Sequence, residues 1–355
     1  MNIAITGICG FVGSELALQL GRRFSGAQIA GIDNFSRPGS ETTRPRLKAA
    51  GVVAKHGDVR CAGDLDVLGT PDWVIDAAAN PSVLVGVDGR TSSRQAVEHN
   101  LVGTLNVLEF CKARGAGLVL LSTSRVYSVN ALNALPLTVR DGAFVPDESA
   151  IWPNGAAPAG LTERFSTAGP VSLYGATKVA SEAMAIEYGD AFGFPVVIDR
   201  CGVMAGPGQF GTGEQGIFSF WVRAWASGEP LKYLGFGGIG HQVRDALHPQ
   251  DLADLVERQL RAASEATGIW NVGGGSANAM SLAQLSAWCS AHFGERQVGS
   301  DPARRKWDVP WVVMDSSRVR ERLGWTPAIS VTTILDEIAA HHRLHPDWLS
   351  LARPL

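Results

Sequence analysis

The stretch TGICGFVGS, residues 6–14, decides the fold because it joins a short apolar run to an amphipathic stretch through three glycines. The preceding run NIAIT has the pattern of a buried strand, and the following stretch FVGSELALQLGRRF has that of a helix. Glycine permits tight turns and close backbone approach, so Gly7, Gly10 and Gly13 fit a strand-to-helix turn. Such turns also occur where nothing binds, so the glycine spacing alone is a weak signal of function.

Two acidic residues strengthen the interpretation of this turn as a dinucleotide site. The helix that opens there offers free N–H groups to phosphates. Asp33 ends the second apolar run, 20 residues beyond Gly13, where a carboxylate accepts hydrogen bonds from an adenosine ribose. Asp58 follows the third run and is placed to meet the adenine amine. Asp33 favours NAD, whereas Arg37 leaves NADP as an alternative. This pattern predicts that Gly7, Gly10, Gly13, Asp33 and Asp58 bind the cofactor, with Arg37 nearby.

The first two hundred residues alternate short apolar runs with longer amphipathic stretches. The runs AQIAGID, GVVAKHGD, WVIDAAA, GLVLLSTS and FPVVIDR read as strands buried on both faces. This alternation predicts an α/β fold, a Rossmann-type doubly wound parallel sheet with a smaller α+β substrate-binding domain. We expect the NAD-binding domain over 1–199, with a return segment near 241–275, and the substrate-binding domain over 200–240 and 276–355. The long segment from Ser128 to Ser172 reads as a lid, a binding loop or a disordered stretch.

Composition excludes several classes of function. The chain has 355 residues, of which 45% are hydrophobic and 18% charged, and its formal net charge is −3. It therefore has no global positive field for nucleic acid or an anionic membrane. The five cysteines are scattered, which predicts reduced thiols. The sequence shows no secretory leader and no apolar run of membrane length, so we expect a soluble cytoplasmic protein.

Three polar groups are expected to converge at the edge of the sheet where the dinucleotide would lie. Thr123 ends the run LVLLSTS, and VSLYGATKVASE puts Tyr174 one helical turn before Lys178. A phenol beside an ammonium group can act as an acid or a base, because the positive charge stabilises phenolate. The alternative is a helix that merely carries a tyrosine and a lysine on one face.

The chain resembles the extended short-chain dehydrogenase/reductase family, the nucleotide-sugar epimerases and dehydratases, over nearly its whole length. The motifs that carry the resemblance are TGICGFVG, DNFSR, GDVR, N-x-x-G-T-x-N-V-L-E, STSRVY, YGATK, QVRDALHPQD, NVGGG, R-x-x-D and LGWTP. Within the family it is most similar to 2-epimerases of CDP-hexoses, through DNFSRPGS, Arg125 and GPGQFGTGEQGIFSFW. Dehydratases of the family place Asp-Glu after the catalytic threonine, where this chain has Ser124 and Arg125.

The resemblance implies a mechanism and a substrate. Thr123, Tyr174 and Lys178 are the implied catalytic residues of a transient oxidation to a keto-sugar, followed by re-reduction on its other face. The implied substrate is a nucleotide-diphosphate sugar, with a CDP-hexose favoured, and the implied assembly is a homodimer or homotetramer formed through helices around Ala96–Arg114 and Tyr174–Phe192. The implied substrate-binding residues are Ser124, Arg125, Gln209, Gln215, Arg244 and Arg305. The resemblance adds further expected cofactor-binding residues, which are Phe11, Val12, Asn34, Ser36, Arg37, Val59, Ala77, Ala78, Ala79, Asn100 and Lys178.

Several alternatives stay open from the sequence. Arg244 and Arg305 could instead form surface ion pairs with Asp245 or Asp308. The chain could be a dehydrogenase or reductase with net redox change, or an NAD-sensing module without chemistry. No metal site is expected, because the histidines His341, His342 and His345 read as a solvated helix face. His248 reads as structural, and the tryptophans from Trp221 onward read as core.

Overall fold

The structure is a computed structural model that describes residues 1–87, 89, 91–213, 215–303 and 305–352. Its strands are β1 (Asn2–Thr6), β2 (Gln28–Asp33), β3 (Val53–His56), β4 (Trp73–Asp76), β5 (Gly117–Thr123), β6 (Leu137–Arg140), β7 (Ala143–Pro146), β8 (Ala156–Ala157), β9 (Gly160–Leu161), β10 (Val196–Cys201), β11 (Val203–Met204), β12 (Lys232–Leu234), β13 (Val243–Leu247), β14 (Gly268–Val272), β15 (Ala279–Ser281), β16 (Gly299–Asp301) and β17 (Trp311–Val312). Its α-helices are α1 (Phe11–Arg23), α2 (Arg44–Ala49), α3 (Ser93–Val97), α4 (Gly103–Arg114), α5 (Val129–Asn133), α6 (Leu173–Phe192), α7 (Ile217–Ala226), α8 (Pro249–Arg261), α9 (Ala263–Ala266), α10 (Leu282–Phe293), α11 (Ser317–Leu323) and α12 (Val331–Leu344).

The central sheet has seven strands in the order β14-β10-β5-β4-β1-β2-β3. Every pairing in it is parallel, with β1 between β2 and β4. The strand order reverses beside β1, so the carboxyl ends of β1 and β4 flank the crevice where such sheets bind ligands. The expected doubly wound parallel sheet is confirmed.

Apolar side chains of the helices cover both faces of this sheet. One buried cluster joins α1 and α8 to one face, and a second joins α4 and α6 to the other. β3 departs from the expectation of strands buried on both faces, because Val53 is 49% exposed. The reason is its position at the edge of the sheet, where only β2 pairs with it.

The smaller part follows β10 and has its own apolar core. Helices α7, α10 and α12 pack together there, with Trp221 and Trp225 buried among them. The chain returns to the central sheet through α8 and β14, as expected for the segment near 241–275. The domain boundaries themselves stay a prediction.

The segment 128–172 is folded, which excludes the disordered alternative and leaves the lid and the binding loop. It contains α5 and two antiparallel pairs, β6 with β7 and β8 with β9. Its apolar residues Leu132, Leu161 and Phe165 are buried against residues 309–314. Sequence reasoning missed this because the segment is rich in Ala, Pro and Gly and its strands are only two to four residues long.

Candidate active site

The glycine turn after β1 leaves the start of α1 open to a ligand. Gly7 has φ +64°, and a Cβ at Gly13 would lie 2.2 Å from the carbonyl oxygen of Gly7. Gly10 precedes α1 and provides no side-chain cap, so the first N–H groups of this 13-residue helix are not blocked by a side chain. Backbone alone therefore forms a surface that a diphosphate can approach, and this turn fits the pyrophosphate of a dinucleotide.

Asp33, at the end of β2, holds the glycine turn in place. Its carboxylate accepts hydrogen bonds from the backbone N–H of Cys9 at 2.9 Å and of Phe35 at 2.8 Å. Burial raises the pKa of Asp33, and these N–H donors act against that rise. The carboxylate thus joins the end of β2 to the phosphate-facing turn.

Asp58 is engaged by its own neighbours. Arg60 contacts its carboxylate at 2.6 Å, and the amide of Asn34 donates to it at 2.9 Å. Burial alone would raise the pKa of Asp58, but these donors outweigh it and hold the pKa well below its usual range. Asp58 is ionised at neutral pH, as an acceptor for an adenine amine must be.

One large cavity, of about 900 Å³, runs from the glycine turn to the smaller part. The expected cofactor-binding residues that line it are Gly7, Gly10, Phe11, Val12, Gly13, Arg37, Ala77, Ala79 and Lys178. The expected cofactor-binding residues that do not line it are Asp33, Asn34, Ser36, Asp58, Val59, Ala78 and Asn100. Most of these lie just behind the lining residues, in the loops after β2, β3 and β4.

Asn100 has a structural role instead of the expected cofactor contact. It is fully buried in a π-helical turn, Glu98–Val102, between α3 and α4. Its side-chain oxygen accepts from Asn80 N–H at 2.7 Å, and its amide donates to Asn80 O at 3.0 Å and to Thr177 at 3.1 Å. It therefore fastens the loop after β4 to α6.

Thr123 and Tyr174 meet in the cavity. Thr123 lies at the end of β5, and Tyr174 lies in the first turn of α6, where Ser172 caps the helix through Gly175 N–H. Burial raises the pKa of Tyr174 to about 12, although a hydrogen bond with Thr123 and the charge of Arg125 act in the opposite direction. The expected lowering of this pKa by Lys178 is not seen, since Arg125 is the cation that acts on the phenol.

Lys178 is almost fully buried, one turn after Tyr174 on α6. Its ammonium donates to the backbone carbonyl of Leu121 at 2.9 Å. Burial lowers the pKa of Lys178, and the carboxylates of Asp76 and Glu182 act against that change. The lysine is thus anchored beside β5, and it lines the same cavity as Thr123 and Tyr174.

Three arginines gather around one carboxylate on the opposite wall. Arg244 approaches Asp308 at 3.9 Å and Arg305 approaches it at 3.7 Å, and Arg125 lies within the electrostatic reach of both arginines. Burial, together with the charges of Arg125 and Arg305, lowers the pKa of Arg244 to about 9. The ion-pair alternative is therefore realised only in part, through long contacts that line a cavity and leave positive charge in excess.

The charge of Asp245 acts on its chain neighbour Arg244, but its carboxylate is held by backbone groups. Its carboxylate accepts from the N–H groups of Gly275 at 3.0 Å and Met314 at 3.2 Å. Burial raises its pKa to about 6. It therefore joins β13 to the neighbouring loops and leaves the arginines to the cavity.

The two expected substrate-binding glutamines are occupied by the protein. Gln209 donates to Met204 O at 3.0 Å and accepts from Ser219 at 3.0 Å. Gln215 accepts from Arg37 at 2.8 Å. Both still line the cavity, but their side chains hold the loop 206–216, a role the sequence did not indicate.

Several lining residues were missed by sequence reasoning. They are Cys201, Met204, Phe210, Trp307, His341, His345 and Trp348. His341 contradicts the expectation of a solvated helix face, because it is half-buried and packs edge-on against Trp348, with ring centroids 5.0 Å apart. His345 is exposed, in agreement with that expectation, although it also lines the cavity. Burial lowers the pKa of His341 to about 4. Their distance along the chain from the glycine turn gave no signal that they would reach the cavity.

The other histidine and tryptophan expectations are mostly confirmed. His248 is buried, and its ring accepts from Gln250 N–H at 3.1 Å at the start of α8. Trp221, Trp225, Trp270, Trp311 and Trp325 are core residues, whereas Trp307 and Trp348 line the cavity. Among the described residues no group of histidine, cysteine, aspartate or glutamate side chains could hold a metal ion. None of the described helices is both long and apolar enough to cross a bilayer.

Comparison with known proteins identifies the family. The NAD dependent epimerase/dehydratase family matches residues 3–273. The chain is 28% identical to the CDP-paratose 2-epimerase of Salmonella typhi over 345 residues, covering 93% of this chain and 96% of the relative. It is 29% identical to the dTDP-L-rhamnose 4-epimerase of Burkholderia thailandensis over 358 residues, covering 95% and 93%.

A solved structure shows the same architecture. The UDP-glucose 4-epimerase of Thermus thermophilus, in complex with NAD, is 26% identical with a TM-score of 0.73, covering 97% of this chain and 99% of that one. The UDP-glucuronic acid 4-epimerase of Bacillus cereus, at 22% identity and a TM-score of 0.76 over 97% and 99%, shares the fold. The chain therefore belongs to the NAD dependent epimerase/dehydratase family, and it is an NAD-dependent enzyme.

Proposed function

We propose that the protein is an epimerase of a nucleotide-diphosphate sugar, most similar in substrate to the CDP-paratose 2-epimerase. The observation that carries the proposal is the single cavity that Thr123, Tyr174 and Lys178 share with the glycine turn. NAD held at that turn would accept a hydride from a sugar carbon and return it to the other face. The reaction would end with its cofactor unchanged.

Tyr174 is the proposed base and acid of this reaction. Its phenol would take the proton of the sugar hydroxyl during oxidation and give it back during reduction. Since burial holds the pKa of Tyr174 near 12, phenolate needs positive charge nearby. Arg125 supplies such charge from the protein, and Lys178 would hold the cofactor ribose while its ammonium stays fixed on Leu121 O.

Thr123 is the proposed partner of the reacting oxygen. It hydrogen-bonds the Tyr174 phenol, and its side chain also accepts from Arg125 N–H at 3.2 Å. The backbone thereby orients the hydroxyl at the end of β5, ready to donate to an oxygen that becomes a carbonyl. Threonine at this position fits proton transfer between sugar and tyrosine.

The arginine cluster is the proposed site for the diphosphate. Arg125, Arg244 and Arg305 outnumber the two carboxylates that act on them, Asp308 and Asp245, so positive charge is left in excess in a half-buried wall. A diphosphate carries the opposite charge, and guanidinium groups bind phosphate through paired donors. A substrate fixed by its diphosphate leaves its sugar free to turn over between the two hydride transfers.

Ser124 and Arg125 argue against dehydration of the sugar. An elimination needs an acid and a base on neighbouring carbons, whereas the residues after Thr123 are a hydroxyl and a cation. Relatives that match more than nine-tenths of this chain are named as enzymes of CDP-, dTDP- and UDP-linked sugars. The preference for a CDP-hexose rests on the Salmonella typhi relative and on the loop GPGQFGTGEQGIFSFW.

A homodimer or homotetramer is part of the proposal. Apolar side chains on the outer faces of α4 and α6 are exposed, including Leu105 at 37% and Phe192 at 49%. Pairing of these two helices with a second copy would bury them. The five free cysteines support a reducing, cytoplasmic setting.

The test is conversion of a nucleotide sugar without added cofactor. Purified protein is incubated in turn with CDP-, dTDP- and UDP-hexoses, and the products are separated and identified by NMR. We expect an epimer of a CDP-hexose to appear until equilibrium is reached, with no net formation of NADH. Oxidised sugar formed in step with added NAD⁺ would instead indicate a dehydrogenase, and no conversion of any sugar would contradict the proposal.

A further inference from the structure

Arg37 follows β2 in the NAD-binding part, but its guanidinium is bonded to the smaller part. It donates to the Gln215 side chain at 2.8 Å and to the backbone carbonyl of Phe210. Both partners belong to the loop 206–216. Phe210 lies 173 residues beyond Arg37 in the chain, and Gln215 lies 178 residues beyond it. Arg37 is therefore a direct bond between the two walls of the cavity.

A second set of contacts reinforces the same junction. Gly39 has φ +90°, and a Cβ there would lie 2.4 Å from the ring of Phe210. Phe210 in turn stacks on Trp348, with ring centroids 4.7 Å apart and planes inclined by 7°. The loop after β2, the loop 206–216 and the segment after α12 thus form one layer, and Arg37, Phe210 and Trp348 all line the cavity.

The loop that Arg37 holds is closed on itself. Thr212 N–H donates to Gln215 O at 2.6 Å, and Gln215 N–H donates to Thr212 O at 3.2 Å. Holding Gln215 and Phe210 therefore also restrains Thr212. Because a charged donor makes one of the stronger hydrogen bonds and both of these bonds are partly buried, loss of Arg37 would release this loop from the NAD-binding part.

We propose that Arg37 is a latch that retains NAD in the cavity between turnovers, by bonding the loop 206–216 to the loop after β2. The guanidinium is committed to protein acceptors, so its role is positioning and not the expected direct contact with the cofactor. This inference extends the proposed function, since an epimerase that regenerates its own cofactor gains from never releasing it. It depends only on NAD binding and not on which sugar is converted.

The experiment measures the dissociation of NADH from protein that contains no sugar. Bound NADH is displaced with excess NAD⁺ in a stopped-flow instrument, and the loss of its fluorescence gives the rate. Arg37→Met and Gln215→Leu are each expected to speed dissociation about tenfold or more. Arg23→Met is the matched control, because Arg23 also has two side-chain partners, Asp254 and Glu257, but lies away from the cavity.

The double variant separates a latch from a direct cofactor contact. If Arg37 acts through Gln215 and the loop, Arg37→Met with Gln215→Leu releases NADH little faster than Arg37→Met alone. An Arg37→Met protein that releases NADH as slowly as the wild type overturns the inference. A Gln215→Leu protein that releases NADH at the wild-type rate also overturns it. So does a double variant in which the two increases in the rate of NADH release multiply. Since no sugar is present, a failure to epimerise any sugar leaves this result unchanged.

Discussion

The two walls of the cavity are built in opposite ways. The wall at the glycine turn is backbone, with Gly7 and Gly13 so close that a Cβ at Gly13 would lie 2.2 Å from a carbonyl oxygen. The wall of the smaller part consists of long side chains, chiefly Arg244 and Arg305 around Asp308. The first wall admits a single kind of ligand group through fixed N–H donors, whereas the second can be altered by exchanging side chains. This difference accounts for one cofactor across a family whose members act on many sugars.

The largest effect is expected between the two walls, at the reacting centre. Tyr174→Phe should reduce turnover about a thousandfold or more, because the only change is the loss of the proton-transferring hydroxyl. NAD content and melting temperature should stay at the wild-type values. Tyr188→Phe is the matched control on the same helix, since its hydroxyl bonds Glu109 on the surface. Equal activity of Tyr174→Phe and the control would remove Tyr174 from the mechanism.

Gly13→Ala tests the backbone wall. The added methyl group would meet the carbonyl of Gly7, so the turn must open, and we expect loss of NAD binding and destabilisation by about 1–3 kcal/mol. Gly21→Ala is the control on the same helix, because its Cβ would meet only Ile29 at 3.6 Å. That variant should bind NAD normally and unfold at the same or a slightly higher temperature. Calorimetry and the NAD released on denaturation measure both effects.

Arg244→Met tests the side-chain wall. The loss of one guanidinium should weaken binding of the nucleotide sugar about tenfold to a hundredfold while the NAD content stays unchanged. Titration calorimetry with the free nucleoside diphosphate measures the change without turnover. Arg258→Met, on the outer face of α8, is the control. A variant that loses NAD together with the sugar nucleotide would show that the two walls are not independent.

The smallest effect on turnover is expected at Asp199, beneath the cavity. Burial raises its pKa to about 7, and Gln259 donates to it at 2.7 Å. The folded protein therefore keeps a proton on Asp199 that the unfolded chain loses near pH 4. The contribution of this proton to the free energy of unfolding is complete below about pH 4 and is lost as the pH rises to about 7. Asp199→Asn keeps the acceptor for Gln259 and should flatten this dependence.

Urea unfolding at several pH values between 4 and 8 measures the slope of the free energy of unfolding against pH. Asp66→Asn, an exposed carboxylate paired with Arg114, should leave the slope as it is in the wild type. If the slope is the same in Asp199→Asn and in the wild type, the pKa of Asp199 is not raised in the folded protein, which would contradict this prediction. Turnover at neutral pH should be close to the wild-type value in both variants.

The contrast between the walls also explains what the sequence could predict. Gly7, Gly10 and Gly13 act through local backbone geometry, so their spacing along the chain was enough to predict the strand-to-helix turn. The carboxylate of Asp33 bonds the turn itself and does not line the cavity, so its contact with a ribose stays a prediction. Thr123 and Tyr174 end a strand and begin a helix, and the parallel sheet brings such ends to one edge. The sheet order was predictable for the same reason, because short connections leave few topologies.

The side-chain wall could not be predicted in the same way. Trp348 and His341 reach the cavity only through packing of α12 against α7, and Gln215 is held by an arginine 178 residues earlier in the chain. Asn100 was assigned to the cofactor because its motif fits, but two neighbouring segments already use its hydrogen-bonding groups. Partners that come from distant segments leave no period or spacing to detect.

The most direct test of the central claim is epimerisation of a CDP-hexose in D₂O with no cofactor added. If hydride passes from the sugar to bound NAD and returns, the inverted carbon keeps its own hydrogen, and mass spectrometry and NMR should find no deuterium there. Deuterium at the inverted carbon would mean that a proton from solvent, and not a returned hydride, sets the new configuration, and that result would contradict the account.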